Sequence, residues 1–403
     1  MLNTAFSPWP SFTQLEADAV SQVLLSNKVN YWTGQEGRQF EREFADWADS
    51  QYAIAMGNGT LALDVALQAL DIGAGDDVIV TPRTFIASIS SVVNAGATPV
   101  FADVDADTGN ITPETIAAVL TAKTKAIVCV HLAGWPCDMD GIMALAEQHN
   151  LYVIEDCAQA HGSQYKGRSV GSIGHIGAWS FCQDKIMTTG GEGGMVTTND
   201  EKLWRKMWAY KDHGKSYAAV YETEHPPGYR WLHESFGTNW RMTEMQAVIG
   251  RIQLERMNDW TAQRTVHAHA ILDACDKWRD KGYLSVPRLE QTPEFADCTH
   301  GYYKLYVYVQ PEHLPQGWSR DQIIAEINAL NVPCFSGSAS EVYLEKAFDG
   351  TGLRPKSPLP IAKQLGETSL MFLVHPTLTT AEIEQTVQAL DNVLANIDMA
   401  SQA

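Results

Sequence analysis

Short runs rich in β-branched residues alternate with stretches of helical periodicity between about residues 52 and 198. The runs that predict strands are 53–56, 77–81, 98–102, 126–131, 151–156, 177–181 and 194–198. Helical patterns at 61–70, 85–94, 113–120 and 139–149 separate the first five. Such alternation is typical of a parallel sheet with helices on both faces, but the later connections are too short for full helices. The sequence therefore predicts an α/β domain with a mostly parallel, mixed sheet flanked by helices.

A long helical region from about Met242 to Lys281 leads into a segment of different character. There 303–309 alternates as a strand, 320–330 is typical of a helix, and 379–397 is an amphipathic helix. We therefore predict two domains, because 403 residues are enough for two packed cores. Residues 1–282 would form an N-terminal arm, a large domain and a long connecting helix, and residues 283–403 a small C-terminal α/β domain.

The charge and the cysteine content argue against several classes of partner. A formal net charge of −19 disfavours nucleic acid and anionic membranes, which are bound through excess lysine and arginine. No apolar run approaches the ~18 residues that a membrane span needs. The seven cysteines are scattered and show no C-x-x-C pair, which is typical of reduced thiols and argues against a zinc site. We expect a cytoplasmic protein with no metal, no nucleic-acid partner and no membrane partner.

One segment, D-V-D-A-D-T-G-N-I-T-P-E at 103–114, imitates a calcium-binding loop. Its acidic residues fall at ligand positions, but Thr108 stands where the sharp turn of an EF-hand requires glycine. No pair of helical patterns flanks the segment. We interpret it as a solvated loop between a strand and a helix.

In open parallel sheets, ligands bind beyond the carboxyl ends of the strands, so the residues there are the candidates. Gly59 and Thr60 follow the first strand and begin a helix, where free N–H groups favour a phosphate. Phe85 follows the second strand, at the mouth of the predicted site. Asp156 ends the fifth strand in an expected half-buried position, where it needs a cation such as a protonated heterocyclic nitrogen. Gln159 could hydrogen-bond the same ligand.

The stretch S-F-C-Q-D-K-I-M-T-T-G-G-E-G-G, from Ser180 to Gly194, holds a single lysine, Lys185. A nucleotide-binding P-loop has its glycines before the lysine, and here they follow it, so that interpretation is excluded. A phosphate site, an aromatic ring, a carboxylate and a lone lysine are together what pyridoxal phosphate chemistry requires. In that chemistry the lysine forms a Schiff base and the carboxylate keeps the ring nitrogen protonated. The sequence therefore predicts pyridoxal 5'-phosphate as cofactor and Lys185 as nucleophile.

The order of these motifs resembles the DegT/DnrJ/EryC1/StrS family of nucleotide-sugar aminotransferases. The matching motifs are G-T (59–60), T-F (84–85), H-L-A-G-W-P-C-D-M-D (131–140), E-D-x-A-Q-A-H-G (155–162), S-F-x-x-x-K (180–185), G-E-G-G (191–194) and G-T-N-W-R-M-T-E-M-Q-A (237–247). The resemblance implies a fold-type I transferase that acts as a homodimer with active sites at the interface. It also implies transfer from L-glutamate to the keto carbon, most often C4, of a nucleotide-linked 4-keto-6-deoxysugar. The pathway would make aminosugars for a surface polysaccharide such as lipopolysaccharide O-antigen, or for another product.

The resemblance also assigns roles to residues. Lys185 and Asp156 would be catalytic, the first as the Schiff-base lysine and the second as the partner of the pyridine nitrogen. The other cofactor contacts would be Gln159 to the ring hydroxyl, Phe85 stacked on the ring, Gly59, Thr60 and Ser180 to the phosphate, and Asn239 to that phosphate from the neighbouring subunit.

Three departures from the family pattern affect substrate recognition. The glycine segment 190–194 is one residue longer than expected, Lys304 stands where members often carry a histidine, and the loop 333–343 lacks a histidine. A dehydratase of the same fold is disfavoured, because such relatives replace the lysine with histidine. Two alternatives stay open: an aminotransferase for a non-nucleotide ketone such as a keto-inositol, and a non-catalytic regulator that binds the cofactor or a sugar nucleotide.

Overall fold

A seven-stranded sheet organises the larger part of the chain in the computed structural model, which describes residues 5–402. Residues 1–4 and residue 403, the outer ends of the two predicted domains, lie outside the described residues. The strands are β1 (Tyr52–Met56), β2 (Asp77–Val80), β3 (Thr98–Phe101), β4 (Thr124–Val130), β5 (Tyr152–Asp156), β8 (Ile176–Ser180) and β9 (Gly194–Thr198). A separate short hairpin consists of β6 (Gln164–Tyr165) and β7 (Arg168–Ser169).

The order of the strands across the sheet is β1-β9-β8-β5-β4-β2-β3. β9 runs antiparallel to both of its neighbours, and every other pair in the sheet is parallel. This confirms the predicted mostly parallel, mixed sheet. All seven predicted strands are present, within a few residues of the predicted bounds.

Helices cover both faces of this sheet. They are α1 (Gln14–Leu25), α2 (Glu36–Trp47), α3 (Gly59–Ala69), α4 (Ala87–Asn94), α5 (Pro113–Ala117), α6 (Met139–His149), α7 (Glu201–Lys211) and α8 (Tyr217–Tyr221). The four helical patterns predicted between the first five strands correspond to α3, α4, α5 and α6. The long helical region predicted from Met242 comprises two helices, α9 (Glu244–Leu254) and α10 (Met257–Asp280).

Alternate residues of the central strands enter different cores, because successive side chains of a strand point to opposite faces. In β2, Val78 and Val80 join the cluster that includes the apolar side of α3, whereas Ile79 joins the cluster that includes Met139 and Ile142 of α6. All three β2 side chains are fully buried. A strand covered on both faces is apolar throughout, which explains why the sequence shows continuous apolar runs here instead of an alternating pattern.

The C-terminal part packs two long helices against a small antiparallel sheet. Its strands, in the order β10-β11-β13-β12, are β10 (Leu284–Ser285), β11 (Leu305–Val309), β12 (Cys334–Phe335) and β13 (Ser369–Phe372). Its helices are α11 (Arg320–Ala329), α12 (Pro360–Thr368) and α13 (Thr380–Ser401), and α10 packs with α13 around one apolar core. Within residues 5–402, no helix is both long enough and apolar enough to cross a bilayer.

The aspartates of the segment that imitates a calcium loop hold backbone amides. The Asp103 carboxylate accepts hydrogen bonds from the amides of Ile361 and Ala362, at 3.0 and 2.9 Å, and so caps the start of α12. Asp105 accepts from the amides of Asp107 and Thr108 in a tight turn. This segment therefore connects the two parts of the chain, as a loop that follows β3.

Candidate active site

Four of the predicted cofactor residues, Gly59, Thr60, Asp156 and Ser180, lie at one edge of the large sheet. Asp156 ends β5, and Ser180 ends β8, the strand that pairs with β5 in parallel. Gly59 and Thr60 form the first turn of α3, directly after β1, as the sequence predicted. Gly59 packs so closely against Ser180 that a β-carbon added at Gly59 would be 2.5 Å from the Cβ of Ser180.

Asp156 is fully buried, not half-buried as expected, and two donors hold its carboxylate. The Ser88 hydroxyl donates to Oδ2 at 2.7 Å, and the Ala158 amide donates to Oδ1 at 3.1 Å. Burial raises the pKa of Asp156, while the two donors and the charges of Lys185 and His131 oppose that shift. No cation forms an ion pair with this carboxylate within the described part of the chain. The site therefore has an oriented acceptor for a protonated nitrogen.

Gln159 is oriented by the turn that follows β4. Its side-chain Oε1 accepts a hydrogen bond from the Ala133 amide at 2.9 Å. Ala133 itself adopts a left-handed conformation, with φ 55°, which turns that amide toward Gln159. Since the oxygen is used within the protein, the side-chain NH₂ group can donate to a ligand, as a contact with a ring hydroxyl requires.

Lys185 lies over an aromatic ring that the sequence analysis did not assign to the site. Its ammonium nitrogen is 4.9 Å from the centroid of the Tyr303 ring. The Tyr303 hydroxyl donates to the carboxylate of Asp184, and the indole N–H of Trp9 donates to the Lys185 carbonyl at 2.8 Å. Burial raises the pKa of Asp184, but Lys185, the Tyr303 hydrogen bond and Lys304 outweigh burial and lower it. The Trp9 hydrogen bond therefore holds the main chain of Lys185, and the carboxylate of Asp184 immediately precedes the lysine in sequence.

The glycines that follow Lys185 allow the chain to pass very close to the start of α3. A β-carbon at Gly194 would overlap the carbonyl group of Asn58, the residue that caps α3 through its side chain. A β-carbon at Gly193 would overlap the Thr189 side chain. Gly190 and Gly191 have φ of 87° and 116°, conformations that side chains disfavour. The glycine-rich segment is therefore explained by close backbone approach beside Gly59, Thr60 and Ser180, the predicted phosphate cradle.

Two histidines near the site differ in their partners. His131 accepts from the Cys137 amide at Nδ1 and contacts Glu155 at 3.0 Å through Nε2, so it is a satisfied structural residue. His161 is completely buried, and neither ring nitrogen has a hydrogen-bond partner among residues 5–402. Burial, with the charges of Lys185 and Arg264, lowers the pKa of His161 to about 3. His161 is therefore neutral and packs its ring beside Trp179, at 5.3 Å.

His131, Glu155 and Cys157 form the group of metal-ligating side chains found among the described residues. The Glu155 oxygens already accept from the amides of Gly171, Ile173 and Gly174. Within this cluster, Glu155 therefore serves as the acceptor for the amides of one loop and for His131.

Two predicted cofactor residues have exposed side chains. The Phe85 side chain is 67% exposed, and Asn239 is also exposed. The roles assigned to them, ring stacking and a contact from a neighbouring subunit, remain predictions.

Residues that the sequence analysis missed reach the site from distant parts of the chain. Ser88 lies in the first turn of α4, and Trp9 lies in the N-terminal arm. Tyr303 lies just before β11, in the C-terminal part of the chain. A polar residue on the buried face of α4 was the available signal for Ser88. No local pattern distinguishes Trp9 or Tyr303 from ordinary core aromatics.

Known proteins share the sequence pattern and the fold. The model of the DegT/DnrJ/EryC1/StrS aminotransferase family matches residues 10–391. The chain is 38% identical over 370 residues to GDP-perosamine synthase of Caulobacter vibrioides, and this alignment covers 90% of this chain and 92% of the relative. It is 46% identical over 372 residues to a UDP-N-acetyl-3-dehydro-α-D-glucosamine 3-aminotransferase of Acidithiobacillus ferrooxidans, with coverage of 91% and 90%. An aminotransferase structure from Psychrobacter cryohalolentis aligns with a TM-score of 0.97 at 85% identity, covering 98% of this chain and 100% of that chain.

The contact between Gly59 and Ser180 yields a prediction. Gly59→Ala should weaken pyridoxal phosphate binding at least about tenfold, because the new methyl group displaces Ser180 and distorts the α3 N-terminus. Titration of the apoprotein with the cofactor, followed by absorbance, measures this. Gly73→Ala is the control, because its β-carbon would meet only a carbonyl oxygen at 3.5 Å. Equal cofactor affinity in the two variants would contradict the assigned phosphate cradle.

Proposed function

The chain belongs to the DegT/DnrJ/EryC1/StrS aminotransferase family, and from that premise we propose that it transfers an amino group from L-glutamate to the keto carbon of a nucleotide-linked sugar. The observation that carries this proposal is the presence of Lys185 close enough to act electrostatically on the buried, oriented carboxylate of Asp156 at one sheet edge. A protein that only bound a sugar nucleotide would have no need for that combination.

The residues present fit pyridoxal phosphate. The buried carboxylate of Asp156 would pair with a protonated ring nitrogen, and the free NH₂ group of Gln159 would donate to the ring hydroxyl. The first-turn amides of α3 at Gly59 and Thr60, with the Ser180 hydroxyl, would hold the phosphate. Phe85 would cover the ring.

The cofactor, when bound, supplies an electron sink for the charge that develops on the substrate carbon. The chain supplies positioning and proton transfer. Lys185 is the base that takes the proton from the donor's Cα and the acid that returns one, and in the second half-reaction it moves a proton in the opposite direction. Asp156, held by Ser88 and the Ala158 amide, keeps the ring nitrogen protonated. The Trp9 hydrogen bond and the Tyr303 ring limit where the lysine can move.

The position of the keto group has two candidates. The family resemblance favours C4 of a 4-keto-6-deoxyhexose. The relative that is 46% identical is named as a 3-aminotransferase of a UDP-N-acetyl-3-dehydroglucosamine, and that observation favours C3. Either product would serve aminosugar synthesis, and we propose a surface polysaccharide such as lipopolysaccharide O-antigen as its destination.

We further propose that the active enzyme is a homodimer in the cytoplasm. Asn239 lies in an exposed segment that also presents three large apolar side chains, Tyr229, Trp231 and Phe236, which are 75%, 84% and 99% exposed. Apolar surface of this kind is typical of a protein interface. An interface here would carry Asn239 toward the phosphate cradle of the second subunit.

The overall reaction is tested by spectroscopy and product analysis. The purified protein with pyridoxal phosphate should show a yellow absorbance band that bleaches with L-glutamate and returns with a keto-sugar nucleotide. Parallel assays with 4-keto-6-deoxy and 3-keto sugars linked to UDP, dTDP or GDP, with products identified by NMR, locate the new C–N bond. A band that glutamate leaves unchanged would show that the donor is wrong. A product from a keto-inositol alone would show that the acceptor class is wrong.

Two variants test the roles of the central pair. Lys185→Ala should abolish turnover, because the variant loses the amine that takes the proton from the substrate carbon and returns it. Asp156→Asn should lower kcat by several orders of magnitude while the cofactor still binds, because a neutral amide cannot keep the ring nitrogen protonated. Exposed Lys125→Ala is the matched control and should behave as wild type. Normal turnover by Lys185→Ala would overturn the mechanism.

Complementation tests the shared active site. Homodimers of Lys185→Ala and of Asn239→Ala should each have little activity. Subunits unfolded and refolded together should recover up to about a quarter of wild-type activity, because half of the dimers are mixed and each mixed dimer has one intact site. A fully active Asn239→Ala homodimer, or no recovery on mixing, would contradict a contribution of Asn239 to the neighbouring subunit's site.

A further inference from the structure

Lys304 is a buried lysine without a partner. The residue is 9% exposed, and its ammonium group makes no hydrogen bond or ion pair among residues 5–402. It lies just before β11, beside Tyr303, and its nitrogen is 4.9 Å from the centroid of that ring. The fold thus holds the ammonium group of Lys304 in a largely buried position without a partner among the described residues.

The surroundings of Lys304 are cationic. Arg264 on α10 is 1% exposed, and its Nη1 donates to the carbonyls of Tyr302 and Tyr303 at 3.2 and 3.4 Å. Its Nε and Nη2 have no hydrogen-bond partner within the described chain. The carboxylate of Asp184 is nearby, but the Tyr303 hydroxyl already donates to it. Lys304 and the catalytic Lys185 therefore share the charge of Asp184, and Arg264 adds a further buried cation next to Lys304.

This arrangement costs stability that the fold does not recover. A buried ion without a partner is unfavourable by several kcal/mol after relaxation. Burial, followed by the charge of Arg264, lowers the pKa of Lys304 to about 8; Asp184 opposes this shift and Lys185 adds to it. An apolar residue at this position would fill the same space without that cost. The charge is therefore better explained by a bound ligand than by the stability of the fold.

The cations are within reach of the reacting atoms. The ammonium nitrogens of Lys185 and Lys304 each lie 4.9 Å from the centroid of the same Tyr303 ring, so they are no more than twice that distance apart. This upper limit on the separation does not exceed the length of a small substrate. A substrate whose reacting carbon lies at Lys185 can therefore bring a second group to Lys304.

We infer that Lys304, supported by Arg264, forms a subsite for an anionic oxygen group of the substrate. The inference rests on the proposed function, in which two substrates carry such groups: glutamate has a side-chain carboxylate, and the sugar nucleotide has a diphosphate. Bound there, either anion would pair with the free ammonium group and neutralise the buried charge.

The test compares Lys304→Gln with wild-type holoenzyme in two arms. Saturation of the rate at which glutamate bleaches the cofactor band gives the apparent Kd of the donor. Calorimetric titration with UDP, GDP and dTDP gives the affinity for the nucleotide part. We expect the variant to bind one of the two classes at least about tenfold more weakly. Weakening in the glutamate arm identifies the carboxylate, and weakening in the nucleotide arm identifies the diphosphate.

Stability separates a ligand role from a structural role. Lys304→Gln should unfold at the same temperature as wild type or higher, because it removes a buried unpaired charge. Exposed Lys363→Gln, on α12, is the control and should change neither measurement. Unchanged affinity in both arms would overturn the inference, and so would a lower unfolding temperature with unchanged affinity. Failure of wild-type holoenzyme to react with glutamate would instead contradict the proposed function.

Discussion

The buried carboxylate of Asp156 is the constraint around which the site is built. It closes a central parallel strand at the edge where ligands bind in such sheets, and burial raises its pKa. Two donors, Ser88 and the Ala158 amide, keep it in one orientation without neutralising it. A charge in that position is tolerated when a cation binds next to it, and the protonated ring of the proposed cofactor would be such a cation.

The antiparallel strand β9 is the other device that the site requires. It returns between β1 and β8 and brings the glycine-rich segment beside the start of α3. Gly194 contacts Asn58, and Gly59 contacts Ser180, so three backbone segments meet where only glycine fits. The phosphate cradle therefore depends on one strand reversal within an otherwise parallel sheet. Lys185 follows β8 and lies in the segment that connects β8 to β9.

The positions of the candidate cofactor residues in the fold could be predicted because their signals are local. Gly59, Asp156 and Lys185 each lie at or next to a strand or helix end that hydrophobic periodicity locates, and the parallel arrangement brings those ends together. The burial of Asp156 was underestimated, because Ser88 lies on α4 and shares no sequence pattern with it. Trp9, Arg264 and Tyr303 were missed for a related reason, because their contacts join distant parts of the chain. Trp9 donates to Lys185, Tyr303 donates to Asp184, and Arg264 lies over the Trp9 ring; the two residues of each pair are more than a hundred positions apart. Propensity and spacing do not encode such long-range packing.

The cofactor residues and the residues that approach from the C-terminal part lie on different elements, and this separation indicates where members of this family can diverge. The groups that would hold the cofactor belong to the large sheet, whereas Arg264, Tyr303 and Lys304 approach from α10 and the start of β11. The two characterised relatives named above carry the names of different sugars, one of perosamine and one of a dehydroglucosamine. Discrimination between such acceptors has to come from groups that touch the substrate and not the cofactor. Lys304, which departs from the family pattern, is the residue that we propose among those groups, because its ammonium group has no partner among residues 5–402.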